Sequence, residues 1–525
     1  MKKTIIIIFA IMAAVLVSCT DRFEAFNTNA HEATYEQMLT DDNLTSSLFQ
    51  QIERSVIFYR DGTGVLDSDY QIEYNLCSET WAGYMAPTLG NGVNNGSFYI
   101  NDSWSRSLYI NKYSLAMNAY VSLAEVCEDG GLDHVLALAD VLKVAAMHQV
   151  ADYYGPVPYS ECGTSLTPTY DSLEDIYNQM LDELDNAIDV LTEYNIADES
   201  ATIMADVDLV YDGDVATWIR FANSLRLRLA MRCVYADATL AQTEAEKSIS
   251  DSYGLITDNS DNAVVSGIDH HPLYEINVNF NDGDTQMNAC LDCYLNGYDD
   301  PRTFCIVKAA NDGLFHGVRN GIQVDSWDAY HNTNNNVSAP NATEYNLTWL
   351  NAAEVYFLLA EAALRGWNVE GTAQEYYEAG VTASFDEWGA SGVSSYLADD
   401  TSTPTAFVDV VGSASASAPS SITIAWDDSD DFETCLERIM TQKWIAMFPN
   451  GPEGWAEYRR TGYPHLLTPA NNESNGIVDS DLQIRRVPYP LSEYSDNPTG
   501  VAAGVSALGG LDNAGTKLWW DKRDR

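Results

Sequence analysis

Positive charge is what this sequence most lacks. Only 27 Lys and Arg stand against 77 Asp and Glu, a formal net charge of -50. Such a surface repels phosphate backbones, which excludes nucleic acid as a partner. Polyanionic ligands are disfavoured on the same ground, while neutral ligands, cations and basic partners stay open. Cysteine is sparse, nine in 525 residues, and a chain of this length has room for a core that needs no disulfide scaffold. The lone C-x-x-C, Cys290-Leu291-Asp292-Cys293, has no second pair, so isolated buried thiols or one local disulfide are expected rather than zinc. Also missing are the H-E-x-x-H helix, the P-loop and the G-x-S-x-G elbow. Gly90-Asn91-Gly92-Val93-Asn94-Asn95-Gly96 lacks the spacing of a dinucleotide loop. His270-His271, just before Pro272, reads as a surface pair. Beyond the amino end, no apolar run looks long enough to span a bilayer.

That amino end is distinctive. Lys2 and Lys3 precede an apolar run from Thr4 to Val17, and Leu16-Val17-Ser18-Cys19 closes it. A short basic stretch, an apolar core and small residues before a cysteine make a secretory signal, and the last four residues resemble a bacterial lipobox. The expectation is a signal peptide over 1–18 and acylation, palmitate included, at Cys19. Several acyl chains anchor a protein stably where one does not. A polar tether follows over 19–42, with Phe23 and Phe26 set to dock on the body.

Helical periodicity dominates the rest. Leu173, Ile176, Tyr177, Met180, Leu181, Leu184, Ile188 and Leu191 fall on one helix face, with Asp171-Ser172 as a start signal. Asp214 is a plausible cap for a helix running through Trp218, Phe221, Leu225, Leu229 and Val234. Two further pairs, about 109–127 with 132–153 and about 350–364 with 372–385, turn at Asp129-Gly130-Gly131 and Gly366-Trp367-Asn368. The predicted fold is mainly α: tetratricopeptide-like helical hairpins in a solenoid scaffold, without a strict period of roughly 34 residues. Regions follow as 43–250 helical, 251–340 irregular with short strands and a ligand surface, and 341–525 helical and looped. Gly389–Asp431 and the stretch from Asn471 read as irregular too.

In this order, the segments resemble the SusD/RagB family of outer-membrane nutrient-binding lipoproteins of Bacteroidetes. The resemblance rests on Phe23-Glu24-Ala25-Phe26-Asn27 after the lipobox, Ala151-Asp152-Tyr153-Tyr154-Gly155-Pro156-Val157-Pro158-Tyr159, and Trp218-Ile219-Arg220-Phe221-Ala222-Asn223. It continues through Gln442-Lys443-Trp444, Glu453-Gly454-Trp455, Arg459-Arg460-Thr461-Gly462-Tyr463-Pro464 and Arg485-Arg486-Val487-Pro488. Read from the residues alone, Arg226 and Arg228 need acidic or carbonyl partners inside an apolar helix. The pairs Arg459-Arg460 and Arg485-Arg486 suggest buried ion pairs. Asp299-Asp300-Pro301-Arg302 reads as a structural turn.

What the resemblance implies is capture without catalysis. Such a protein sits outside the outer membrane on its lipid, binds an oligosaccharide or other nutrient, and passes it to a SusC-like TonB-dependent transporter. With 31 Tyr and 12 Trp against 15 Phe, the aromatics favour rings with one wet edge. Candidate ligand residues are Trp81, Tyr84, Asn91, Asn94 and Asn95 in one cluster, and Tyr298, Trp327 and Tyr330 in another. No cofactor is expected, calcium at 258–262 or 427–431 being a weak second thought. A surface glycoside hydrolase with two carboxylates, a peptide-binding relative and a solenoid adhesin are the alternatives.

Overall fold

Helix ends are where local chemistry shows most clearly. A computed structural model of the protein describes residues 43–59, 68–88, 94–279, 285–323, 330 and 336–523. The expected signal segment, Cys19 and the tether to residue 42 lie outside them. Among the described residues, 43–48 fall in one unit and those from Phe49 onward in another. In the latter, α1 (Asn118–Gly130) and α2 (Asp133–Tyr154) form a hairpin closed by Gly131 at φ 65°. Only glycine takes that left-handed cap without cost. Ser172 starts α3 (Leu173–Ala197) by accepting from the Asp175 amide, and Asp214 starts α4 (Val215–Arg232) by accepting from Thr217. Next come α5 (Ala238–Ser250), α6 (Ala352–Leu364) and α7 (Ala373–Glu387), the last begun by a Thr372–Glu375 capping box. Two further long helices are α8 (Phe432–Ala446) and α9 (Gly451–Thr461).

Neighbours in sequence pack on one another: α1 on α2, α2 on α3, α3 on α4, α4 on α5, and α6 on α7. This is the expected tetratricopeptide-like stack. α6 also meets α4, and α8 lies on both α6 and α7, which joins the later hairpin to the earlier ones. α2 is apolar enough over 22 residues to cross a membrane, contrary to the reading that no such run exists. Yet 83% of its apolar window is buried, so it is the core helix of the stack.

Several helices arise where irregular chain was expected, two of them long. Ala289–Gly297 is capped by Asn288 and buried on nearly every side, so it shows no amphipathic period. Pro498–Leu508 contains two glycines and small residues, but Asn497 caps its start, proline sits in its first turn and Gly509 ends it.

The scarce cations go inward. Arg228 makes a forked pair with Glu354 (2.8 and 2.7 Å). Arg232 bonds Glu453 and Glu457, Lys443 lies 3.2 Å from Glu457, and Arg460 bridges Glu361 and Glu457 at 2.6 Å each. These residues come from α4, α6, α8 and α9, so one ionic core links four helices. Arg485 pairs with Asp521 and Arg486 with Asp512, as expected. Arg459 departs from that expectation: it donates to the carbonyls of Asp152 (2.6 Å) and Arg485 (3.0 Å), and its guanidinium stacks on Trp455 at 3.4 Å. Of the histidine pair only His270 is at the surface; His271 is buried between Tyr70 and Tyr345.

One buried carboxyl gives a signed pH prediction. Glu53 is fully enclosed; burial and then the neighbouring Asp208 push its pKa up to about 10, and it accepts from the Leu209 amide at 3.0 Å. A folded pKa above the unfolded value means stability that is full at low pH and lost as pH rises from about 4.5 toward 10. At pH 7 that loss is about 3 kcal/mol. Glu53→Gln copies the protonated group, with an amide to donate to Asp208. Urea unfolding is expected to find the variant more stable than wild type at pH 8 and equal to it at pH 5. An equal difference at both values would refute the assignment.

Candidate binding face

The loop-rich segments meet on a narrow ribbon. β1 (Met85–Pro87) pairs antiparallel with β2 (Thr285–Met287), Met85 opposite Met287. Past β2 the pattern spreads sideways: the Val318 amide donates to the Met287 carbonyl, Met287 to Ser338, and Ser338 to His316, each at 2.8 Å. Asn288 ties the pieces together, its amide donating to Met85 O (3.0 Å) and Asn320 Oδ1 (3.1 Å). The Arg319 guanidinium reaches Thr468 O (2.8 Å) and Ala414 O (3.1 Å), fastening two further loops. Beneath them Ala86, Val318, Ile322, Tyr330 and Val337 form an apolar cluster. The irregular part is thus a built face, and Tyr84 and Tyr330, one from each expected cluster, are joined to it.

Most of the aromatics nominated from sequence lie under that face and not on it. Trp81 is 1% exposed, packs on Trp455 at 4.8 Å and donates its indole N–H to Asn95 O. Tyr84 is fully buried, stacked on Trp444 at 5.1 Å, with its hydroxyl on the Trp444 carbonyl. Tyr298 donates to Ile422 O, and Tyr330 belongs to the apolar cluster. None of these four offers a free ring face to a ligand, which corrects the expectation for them. For Trp81, Tyr84 and Tyr298 the physical reason is shared: a polar tip satisfied by a backbone carbonyl lets a Tyr or Trp serve as core. Asn94 and Asn95 are likewise structural: Asn94 caps a short turn through the Gly96 amide and Asn95 holds Leu76 O at 2.7 Å. Asn91 and Trp327 lie outside the described residues. The turn Asp299–Arg302 is structural as expected, with Arg302 and Asp300 buried and paired at 2.6 Å.

The face does present aromatics, but others. Phe304 is 74% exposed and meets Phe315 edge to face at 5.2 Å, with Leu314 58% exposed beside them in sequence. Sequence reasoning passed over this pair because it searched for rings with polar tips. The available signal was Leu314-Phe315, two large apolar residues in a Gly- and Asp-punctuated loop with no periodic partner.

Burial raises the Glu387 carboxyl to about 7 although Asn351 donates to it. Its cavity, shared with His271, Asn351 and Glu354, measures about 50 Å³. That is room for a few waters and not for a sugar ring. Among the described residues no group of three or more His, Cys, Asp or Glu is arranged to hold a metal. In the two acidic loops the carboxylates have partners: Asp261 pairs with Arg220, Asp430 with Arg438, and Asp431 caps α8. Cys290 and Cys293 are free buried thiols.

A stack of helical hairpins carries one loop-built face, and many of its scarce cations are spent on internal pairs. The chain belongs to the SusD-like family of Susd and RagB outer membrane lipoproteins, whose model matches residues 25–521. No curated protein matches it in sequence. Among solved structures it resembles a chitin-binding SusD homolog from Flavobacterium johnsoniae, with 38% identity, TM-score 0.85, and coverage of 91% of this chain and 98% of the other. A SusD homolog from Bacteroides uniformis is as similar, at 38% identity, TM-score 0.85 and coverage of 92% and 100%. One from Bacteroides vulgatus stands at 34%, 0.85, 91% and 97%.

Proposed function

We propose that this protein captures oligosaccharides at the cell exterior, without cleaving them, and delivers them to a SusC-like TonB-dependent transporter. The observation that carries the reading is near full-length similarity, at 38% identity, to a chitin-binding relative. Chito-oligosaccharides are therefore the first ligands to test. Acylation at Cys19 holds the protein on the outer membrane, its body facing outward. Phe304 and Phe315 supply ring faces for sugar stacking, and Trp327 is retained from the sequence as a third. No cofactor enters this reading.

Affinity electrophoresis through gels carrying chitin fragments, other polysaccharides or peptides tests it. Retardation by a glycan, with chitin-type material foremost, is expected. Removing a stacking ring by Phe304→Ala or Trp327→Ala should weaken retention about tenfold. Retardation by peptides alone, or unchanged retention in both variants, would overturn the ligand class or the platform.

A further inference from the structure

Away from the loop face, a pocket of about 230 Å³ opens between the stretch Tyr109–Val121, the loop after Pro158, and residues 493–497. Its lining combines three kinds of chemistry. Tyr109 and Tyr113 set two rings 4.6 Å apart at one side. Met117, Val121 and Leu166 make apolar walls, and Leu166 is fully exposed at the rim. At the remaining side stand Asp496 and Glu493, and Glu493 Oε2 accepts from the Tyr170 hydroxyl at 2.6 Å and from Tyr109 at 3.2 Å. Two tyrosine hydroxyls fix that carboxylate in place, yet no ion pair among the described residues involves it. Several of the rare cations serve buried acids in the ionic core, and none of those reaches Glu493. The surroundings are adhesive too: Leu491, Tyr494 and Leu511 are 66, 47 and 74% exposed next to the same segment.

We propose that this pocket receives a lysine side chain of a protein partner, its ammonium on Glu493 and its alkyl stem against Met117, Val121 and Leu166. Charge complementarity supports the cation: the protein carries a net charge of -50, and its field concentrates basic groups at the surface. Tyrosine faces attract an ammonium as well. The volume falls short of the roughly 300–1,000 Å³ of small-molecule sites and suits one long side chain. Lysine fits better than arginine because Oε2 is occupied, leaving Oε1 for a single donor rather than a forked pair. A lysine stem also lies readily along apolar walls. The proposal is independent of the glycan reading, since the pocket shares no residue with the loop face.

Saturation-transfer NMR of the mature protein with Nα-acetyl-lysine methylamide tests it, beside the neutral Nε-acetylated counterpart. Saturable transfer is expected for the cation and none for the neutral analogue. Glu493→Gln keeps an acceptor for the tyrosines and removes the charge, so binding should weaken roughly fivefold. The exposed Glu199→Gln makes the same change in net charge elsewhere and should bind as wild type does. Leu166→Ser, at a position that folding does not bury, should also weaken binding. Equal binding by the Glu493→Gln and Glu199→Gln proteins, equal binding of the neutral analogue, or tighter binding of the arginine derivative would overturn the proposal.

Discussion

Arg460→Met should lower the unfolding free energy by about 3–5 kcal/mol, the cost of leaving buried charges without their partner. Arg460 is completely enclosed and serves two carboxylates at once, Glu361 from α6 and Glu457 from its own helix. Methionine fills much of the space, so the loss reports charge rather than volume. Arg460→Lys keeps the charge and gives up the fork, and an intermediate loss is expected. Neutralising both sides, Arg460→Met with Glu361→Gln, should cost less than the two single changes together, because the residues share one network. The same network fixes the acid limit of the fold. Burial raises the Glu457 carboxyl, but Arg460, Lys443 and Arg232 outweigh it and hold its pKa well below the usual range; Glu361 and Glu453 are lowered likewise. A depressed folded pKa contributes stability above about pH 4.5 and loses it as the pH falls through the folded value. Urea titrations at pH 7 and pH 4 check both statements. An Arg460→Met protein as stable as wild type at pH 7 would show that the ionic core is dispensable.

Trp81→Ala should act on folding first, at a cost of about 3–5 kcal/mol for an enclosed tryptophan. The ring fills space against Trp455, and its N–H donates to the Asn95 carbonyl, which would keep only the Phe98 amide. If Trp81 were a ligand platform, the same change would spare stability and remove glycan binding. Denaturant midpoints and glycan retention on one preparation separate the two. A stable variant that no longer binds would restore Trp81 to the binding surface.

What was readable in advance follows from the range of the physics involved. Ser172, Asp214 and Gly131 act within a few residues of themselves, so they mark helix ends in the sequence as in the structure. The inward use of Arg228 and Arg460 was also legible, because a cation in an apolar helix has few other destinations. Arg459 shows the limit: which buried arginine meets a carboxylate and which meets a carbonyl depends on chain hundreds of residues away. The aromatics failed for the same reason. Tyr84 and Phe304 differ in burial because of what lies across the fold, Trp444 for one and solvent for the other. Residue type alone pointed the wrong way. The helix Pro498–Leu508 was hidden by its glycines, whose cost two caps offset.

The central claim is capture without conversion. Isothermal titration of the mature protein with chitohexaose, followed by chromatography of the sugar recovered from the cell, addresses it directly. The account predicts saturable heat and hexaose returned intact. Shortened oligosaccharides in the recovered material, or no heat from chitohexaose or any other glycan, would contradict it.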